Sequence, residues 1–272
     1  MPEWLIAVIM GVVEGVTEFL PISSTGHLIV VGELIGLPEN LKNTFEIVIQ
    51  LGAVIAVIAF YWADLFTQLR TVRQDAAVQQ LWLGVLVAFL PAAFFGLLFD
   101  DMIEQVLFAP IPIAIALIFG GIVFLIIERD GGIEARMGDA AKDMKLTDIT
   151  WRQALAIGFF QTLALIPGMS RSGASIVGGL LMGLNRKVAT QFSFYLAIPT
   201  LGAATLYVLV TNLEAVGSGG LLNLLTGTVV SGIVAWLSIG WLLRFVATNT
   251  FVAFGYYRIA VGIVILLVFT LR

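Results

Sequence analysis

Two short segments hold almost every side chain able to do chemistry in an otherwise apolar chain: Glu14-Gly-Val-Thr-Glu-Phe-Leu-Pro-Ile-Ser-Ser-Thr-Gly-His27 and Ile166-Pro-Gly-Met-Ser-Arg-Ser-Gly-Ala-Ser175. Glu14 and Glu18 are four apart, hence on one face of a helix. Two carboxylates so placed repel. They need an arginine, a shared proton or a cation, and a Mg²⁺ or Ca²⁺ ion that also contacts substrate phosphates meets that need. Two solvated acids at an interfacial helix end are the alternative. Ser23-Ser24-Thr25-Gly26 is expected to open a helix, with a serine N-cap and unpaired backbone N–H groups that bind anions. His27, the only histidine, follows Ser24 by one turn and is expected within reach of its hydroxyl. Ser24 as nucleophile with His27 as base is one assignment. His27 as the phosphorylated nucleophile is another.

In the second segment Ser170-Arg171-Ser172-Gly173 repeats the capping pattern and adds a guanidinium, with one more hydroxyl at Ser175. Arg171 is expected to hold a phosphate bidentately and stabilise charge developing on it. Neutralising Glu14 or Glu18 is its alternative role, and both hold at once through substrate and metal. The expected site therefore has Ser24, His27, Glu18 and Arg171 in the chemistry. Ser23, Thr25, Gly26, Ser170, Arg171, Ser172 and Ser175 bind the anion, and Glu14 and Glu18 hold the metal. Gln50, Gln161 and Gln191 read as helix-packing hydrogen bonds. Arg258 is expected to snorkel to an interface, next to Tyr256 and Tyr257 as interfacial anchors.

The elements that position these groups are membrane helices. Of 272 residues 60% are hydrophobic and only 12% charged, with a mean hydropathy of +1.03. A soluble domain carries about 25% charged residues. With no cysteine there are no disulfides, and neither the net charge of −4 nor any basic patch points to nucleic acid. Met1-Pro-Glu-Trp lacks the basic start of a signal peptide. The 28 glycines suit close helix contacts, either in a homodimer or within one chain. Apolar runs at about 43–62, 81–99, 111–128, 188–210, 221–243 and 251–271 predict six transmembrane helices. Two further stretches, about 4–37 and 151–184, are broken at Leu20-Pro21 and Pro167-Gly168. They read as re-entrant helical hairpins with tips in the membrane interior.

The two hairpins begin an internal repeat at a constant offset of 147: Trp4 matches Trp151, Gly11 matches Gly158, Ser23 matches Ser170, Gly26 matches Gly173 and Phe45 matches Phe192. A single membrane domain, 1–272, then comprises repeat one at about 1–128, a cytoplasmic loop at about 129–150 opened to the second hairpin by a Thr150/Gln153 capping box, and repeat two at about 151–272. Three crossings per repeat invert the second half. Lys and Arg agree: Arg70, Arg73, Arg129, Arg136, Lys142, Lys145, Arg152, Arg186, Lys187 and Arg244 fall on one face, only Lys42 and Arg272 on the other. The basic face is cytoplasmic by the positive-inside rule, which leaves both termini outside. The fold class expected is an all-α integral membrane protein with an inverted-topology repeat.

On the Glu14/Glu18 pair, the Leu20-Pro-Ile-Ser-Ser-Thr-Gly-His27 run and Pro167-Gly-Met-Ser-Arg-Ser172, the chain resembles the bacitracin-resistance family of undecaprenyl pyrophosphate phosphatases over essentially its whole length. Where the family motif ends in Thr, this chain has Ser175, which keeps the hydroxyl. The resemblance implies removal of the terminal phosphate from the C55 isoprenoid pyrophosphate, giving the monophosphate carrier reused in peptidoglycan synthesis. It also implies a divalent metal and a site open to the periplasm of a bacterial inner membrane. From the residues alone, a lipid-carrier flippase or anion transporter remains the rival, since inverted repeats with broken helices also build transporters.

Overall fold

The structure, a computed structural model, describes residues 1–272 except 37–38, 133–134, 136–137, 139–142, 212–220 and 272. Among the described residues the regular structure is helical throughout: α1 (Glu3–Thr17), α2 (Ser24–Ile35), α3 (Glu39–Phe60), α4 (Trp62–Thr71), α5 (Ala76–Leu107), α6 (Pro110–Ile127), α7 (Trp151–Thr162), α8 (Arg171–Leu181), α9 (Arg186–Thr211), α10 (Leu221–Val246) and α11 (Val252–Thr270). Of the expected charge pattern, Arg136, Lys142 and Arg272, and the side chain of Lys42, lie outside the described residues.

Local chemistry sets the helix ends. Asp75 caps α5 by accepting from the N–H of Ala77 at 2.9 Å. Pro110, whose missing N–H costs nothing in a first turn, opens α6. Thr150 and Gln153 form the anticipated capping box before α7. Both broken stretches break where proline removes a donor: α1 and α2 are separated by residues 18–23, and α7 and α8 by 163–170 with a 3₁₀ turn at Leu163–Leu165.

Among the described residues four helical segments are long and apolar enough to cross a membrane, Ala76–Phe99, Pro110–Ile127, Leu222–Val246 and Val252–Thr270, and α3 with α4, bent by 68°, reach that length and apolarity only as a pair. The helix over the expected span 188–210, α9, runs 26 residues and turns Thr190 and Ser193 toward the interior. Leu69, Leu97 and Leu222 are each more than 70% exposed. Such outward apolar surface suits lipid, not water.

Each broken unit packs on a long helix of the other half. α1 runs along α10 from a shared end, where Asn223 Nδ2 donates to Glu3 Oε2 at 2.7 Å. Along the seam Gly11 lies so close that a Cβ there would sit 2.6 Å from the Gly227 carbonyl. α7 runs along α5 in the same way, from Gln80 Nε2 donating to Ile149 O at 2.9 Å. At its repeat-mate, Gly158, a Cβ would sit 2.5 Å from Ala88 O. An alanine at either glycine forces the helices apart.

The ends of the molecule differ. Around the Gln80–Ile149 contact Arg186 Nε donates to Glu128 Oε1 at 2.8 Å, and the Phe251 N–H to the same oxygen at 3.1 Å. These contacts gather the ends of α6, α9 and α11 at one pole. The Glu3–Asn223 contact marks the other, about 39 Å away along the 26 residues of α10. α1 and α7 therefore enter from opposite poles, and their breaks meet midway. Between them lies the core, where Phe19 of the first break meets Phe194 of α9 edge-to-face at 5.2 Å between ring centroids.

Candidate active site

Each second helix starts from the same strained backbone. Ser23, before α2, has φ 71°, and Ser170, before α8, has φ 70°. Such non-glycine conformations cost about 1–3 kcal/mol each and persist only where surroundings impose them. Their effect is to swing the chain so that the N-termini of α2 and α8 converge. Ser170 Oγ accepts from the Gly173 N–H at 3.1 Å as expected of a cap. Ser23 makes no side-chain cap bond, and lines the cavity between the helices instead.

That cavity holds about 160 Å³, and Glu18, Ser23, Ser24 and Thr25 face Ser170 and Arg171 across it. Its centre is one carboxylate. Ser24 Oγ donates to Glu18 Oε2 at 2.6 Å. Arg171 Nη2 donates to Glu18 Oε1 at 3.1 Å, an ion pair in which the side chains are 9% and 5% exposed. Arg171 is steered there by Ser193 of α9, whose carbonyl accepts from Nη1 at 2.8 Å, and by the Phe19 ring 5.6 Å from its guanidinium carbon. The Nε–H of Arg171 is buried and, among the described residues, makes no hydrogen bond. It is a spare donor beside an anion-sized space.

Other expected site residues build the frame. Ser172 Oγ donates to Leu20 O of the first break at 3.0 Å, tying the two tips together. Ser175 Oγ donates to Arg171 O at 2.9 Å and lies 2.8 Å from Ser193 Oγ. Gly26 lets α2 approach α6, since a Cβ there would meet Leu117 at 3.2 Å. Glu14 is wholly buried one turn before Glu18 but is not part of the cavity wall. Gln50, expected only to pack helices, is on that wall, and Ser193, which the sequence did not single out, holds Arg171. The polar letters were visible, but a lone polar residue in an apolar helix does not say which way it faces.

Three expectations are corrected by the geometry. His27 is not on the Ser24 hydroxyl. Its Nδ1 lies 2.7 Å from Ser23 O and its Nε2 2.8 Å from Tyr257 Oη. A carbonyl only accepts, so Nδ1 carries a proton, and in the neutral ring Nε2 accepts the Tyr257 O–H. The cause is helical: a side chain at i reaches the carbonyl at i−4 more readily than a hydroxyl at i−3 on the first helical residue. Tyr257 is accordingly a partner of His27, stacked at 5.6 Å, and not only an interfacial anchor. Arg258 does not snorkel: it is 1% exposed, and its guanidinium donates to backbone carbonyls of both tips.

Among the described residues no group of three or more His, Asp or Glu side chains gathers as a metal cage. The donor set fits a more open ion. Mg²⁺ commonly takes one or two carboxylates and completes its shell with water and substrate phosphates, and Glu18 with Glu14 behind it supplies that number. Glu18 is already paired with Arg171, so a bound pyrophosphate calls for further positive charge.

The chain is thus a multi-pass, all-helical membrane protein that gathers a buried hydroxyl, carboxylate and guanidinium between two helix N-termini, a setting that suits a phosphate-like anion. Residues 7–264 match the protein family described as "Bacitracin resistance protein BacA", and the chain belongs to that family. It is 49% identical over 268 residues to an undecaprenyl-diphosphatase of Deinococcus deserti, covering 97% of this chain and 94% of that one. It is 48% identical to one from Deinococcus radiodurans, with the same coverage. To one from Ectopseudomonas mendocina it is also 48% identical, over 96% and 92% of the two chains.

Proposed function

We propose that this chain is an undecaprenyl-diphosphatase, hydrolysing undecaprenyl pyrophosphate to the monophosphate and inorganic phosphate. It thereby returns the lipid carrier to cell-wall synthesis and confers resistance to bacitracin. The observation that carries the chemistry is the single carboxylate of Glu18, bonded on one oxygen to Ser24 and on the other to Arg171. Ser24 Oγ attacks the terminal phosphorus, and its proton passes to Glu18 Oε2. The bridging P–O bond breaks, its electron pair leaves with the polyprenyl monophosphate, and Glu18 passes the proton to that oxygen. Water then attacks the phosphoserine, giving one proton to Glu18, which returns it to Ser24 Oγ as phosphate departs.

Arg171 and the N–H groups opening α2 and α8 balance the charge that develops on the transferred group. Glu14 and Glu18 are the residues that would hold Mg²⁺ or Ca²⁺, which when bound supplies the extra positive charge on the phosphates. His27 acts on the backbone of Ser23, keeping that residue's strained conformation.

In the bacterial inner membrane we place six crossings, α3 to α11, with α1–α2 and α7–α8 as re-entrant hairpins of an inverted repeat. Entry of α1 and α7 from opposite poles, and gathering of Arg152 and Arg186 at the α7 pole, support this. Both termini and the opening of the site then face the periplasm. Phosphate release from a polyprenyl pyrophosphate by the purified protein in detergent tests the reading, with Ser24→Ala and a chelator as controls. The reading predicts turnover lost in both controls. Binding without turnover by the wild type would favour a carrier-lipid transporter.

A further inference from the structure

Arg258 is a buried charge that the chemistry above does not use. It sits on α11, and among the described residues no carboxylate lies within ion-pair distance of it. Its donors go to backbone carbonyls: Nη1 to Pro21 O at 3.1 Å, Nη2 to Gly168 O and Met169 O at 3.0 Å each, and Nε to Leu117 O of α6 at 3.3 Å. Pro21 belongs to the first tip and Gly168 and Met169 to the second. One planar fork thus grips both tips, two residues before each strained serine or closer.

The space it occupies is built for it. A Cβ on Gly120 would lie 2.1 Å from Nη2, and one on Gly173, in the first turn of α8, 3.0 Å from Nη1. The Phe124 ring covers the guanidinium at 6.0 Å. Carbonyls of a chain reversal have no helical partner, and in a membrane interior no water replaces it. A lysine offers a point charge with three donors on a flexible stem and cannot span both tips in this fork geometry.

We propose that Arg258 is the positioning residue for the proposed phosphatase reaction, holding the two tips in register so that Ser24 and Arg171 meet on Glu18. It touches neither substrate nor the reacting atoms. Its loss lets one tip shift against the other, and a misplacement of about 1 Å at the reacting groups costs on the order of a hundredfold in rate.

Two measurements test this on the full-length protein. In the phosphate-release assay Arg258→Lys lowers kcat about a hundredfold, leaves KM within about threefold and leaves the folded fraction in detergent unchanged. Gly120→Ala, which crowds the guanidinium out of its slot and keeps the charge, reproduces the split, and carries the test if Arg258→Lys does not fold. Unaltered kcat per folded molecule in either variant overturns the assignment. The second measurement needs no turnover. The chain has no cysteine, so spin labels at Val16→Cys, in the last turn of α1, and Ile166→Cys, in the second break, both partly exposed, report the separation of the first tip's root from the second tip by pulsed electron resonance. A single narrow distance in the otherwise wild-type background that broadens with Arg258→Lys supports the clamp. An unchanged distribution overturns it even if the wild type proves inactive, an outcome that would separately sink the phosphatase reading.

Discussion

Ser24 and Arg171 are repeat-mates that meet on opposite oxygens of one carboxylate, at 2.6 Å and 3.1 Å from Glu18. Each is the first residue of its helix, and each follows a serine with φ near 70°. The two positions stand at the same offset of 147, one a hydroxyl donor and the other a cation. Convergence of two like helix starts brings both onto one carboxylate.

Loss of Ser24 should separate chemistry from binding. Ser24→Ala is expected to slow phosphate release by at least about a thousandfold, as removal of a nucleophile does elsewhere, while substrate affinity in detergent changes by no more than a few fold. Comparable losses of rate and affinity would place the hydroxyl in binding alone.

Glu18→Gln removes the proton acceptor and leaves Arg171 as a buried, unpaired charge. The cost in stability is expected at about 3–5 kcal/mol, alongside near-complete loss of turnover. Arg171→Lys keeps the charge but loses the fork, and a rate loss of about 10²–10³ is expected with a much smaller drop in Tm. Thermal unfolding in one detergent, read beside the two rates, checks both. A fully active Glu18→Gln would sink the proposed proton path.

His27 distinguishes a backbone anchor from a base. An asparagine can still donate to Ser23 O but cannot accept a proton near neutral pH, so His27→Asn should retain at least about tenfold more activity than His27→Ala, in proportion to about 1.4 kcal/mol of retained hydrogen bonding. Equal inactivity of the two would return the histidine to the chemistry.

Strain at Ser23 is also measurable. Ser23→Gly relieves a positive φ at a residue with no side-chain cap bond, and a net gain of about 1 kcal/mol would raise Tm by about 2–4 °C. Ser170→Gly gains less because it gives up the bond to the Gly173 N–H. A fall in Tm for Ser23→Gly would mean that its hydroxyl is a stabilising contact in its own right.

The proposed metal is testable. Turnover is expected to vanish with chelator and return with Mg²⁺ or Ca²⁺, and Glu14→Gln should raise the metal concentration for half-maximal rate by at least about tenfold. Metal titration of both proteins checks this, and an unshifted curve would remove Glu14 from the ion.

The places where the chain breaks were legible, because Leu20-Pro21 and Pro167-Gly168 interrupt apolar runs and the offset of 147 pairs them. Gathering of Glu18, Ser24 and Arg171 was legible for the same reason: each lies beside a break. His27 was misjudged because sequence spacing gives the face of a helix but not the competition between a hydroxyl and a backbone carbonyl for one ring nitrogen. Arg258 was misjudged because an arginine near the end of an apolar run looks the same whether it faces lipid or core. Its slot is written in Gly120 and Gly173, which are distant in sequence and become neighbours only when the tips meet. The polar side of α9 was visible in Thr190, Gln191 and Ser193, but that Ser193 serves Arg171 was not, because the two meet only when the second tip folds back on α9.

The most direct measurement is acid and alkaline quench of the wild type during turnover with a polyprenyl pyrophosphate labelled in its terminal phosphate, followed by peptide mapping. Acid-stable label on Ser24 is the predicted result. Acid-labile, alkali-stable label on His27, or phosphate release with label on neither residue, would contradict the proposed chemistry.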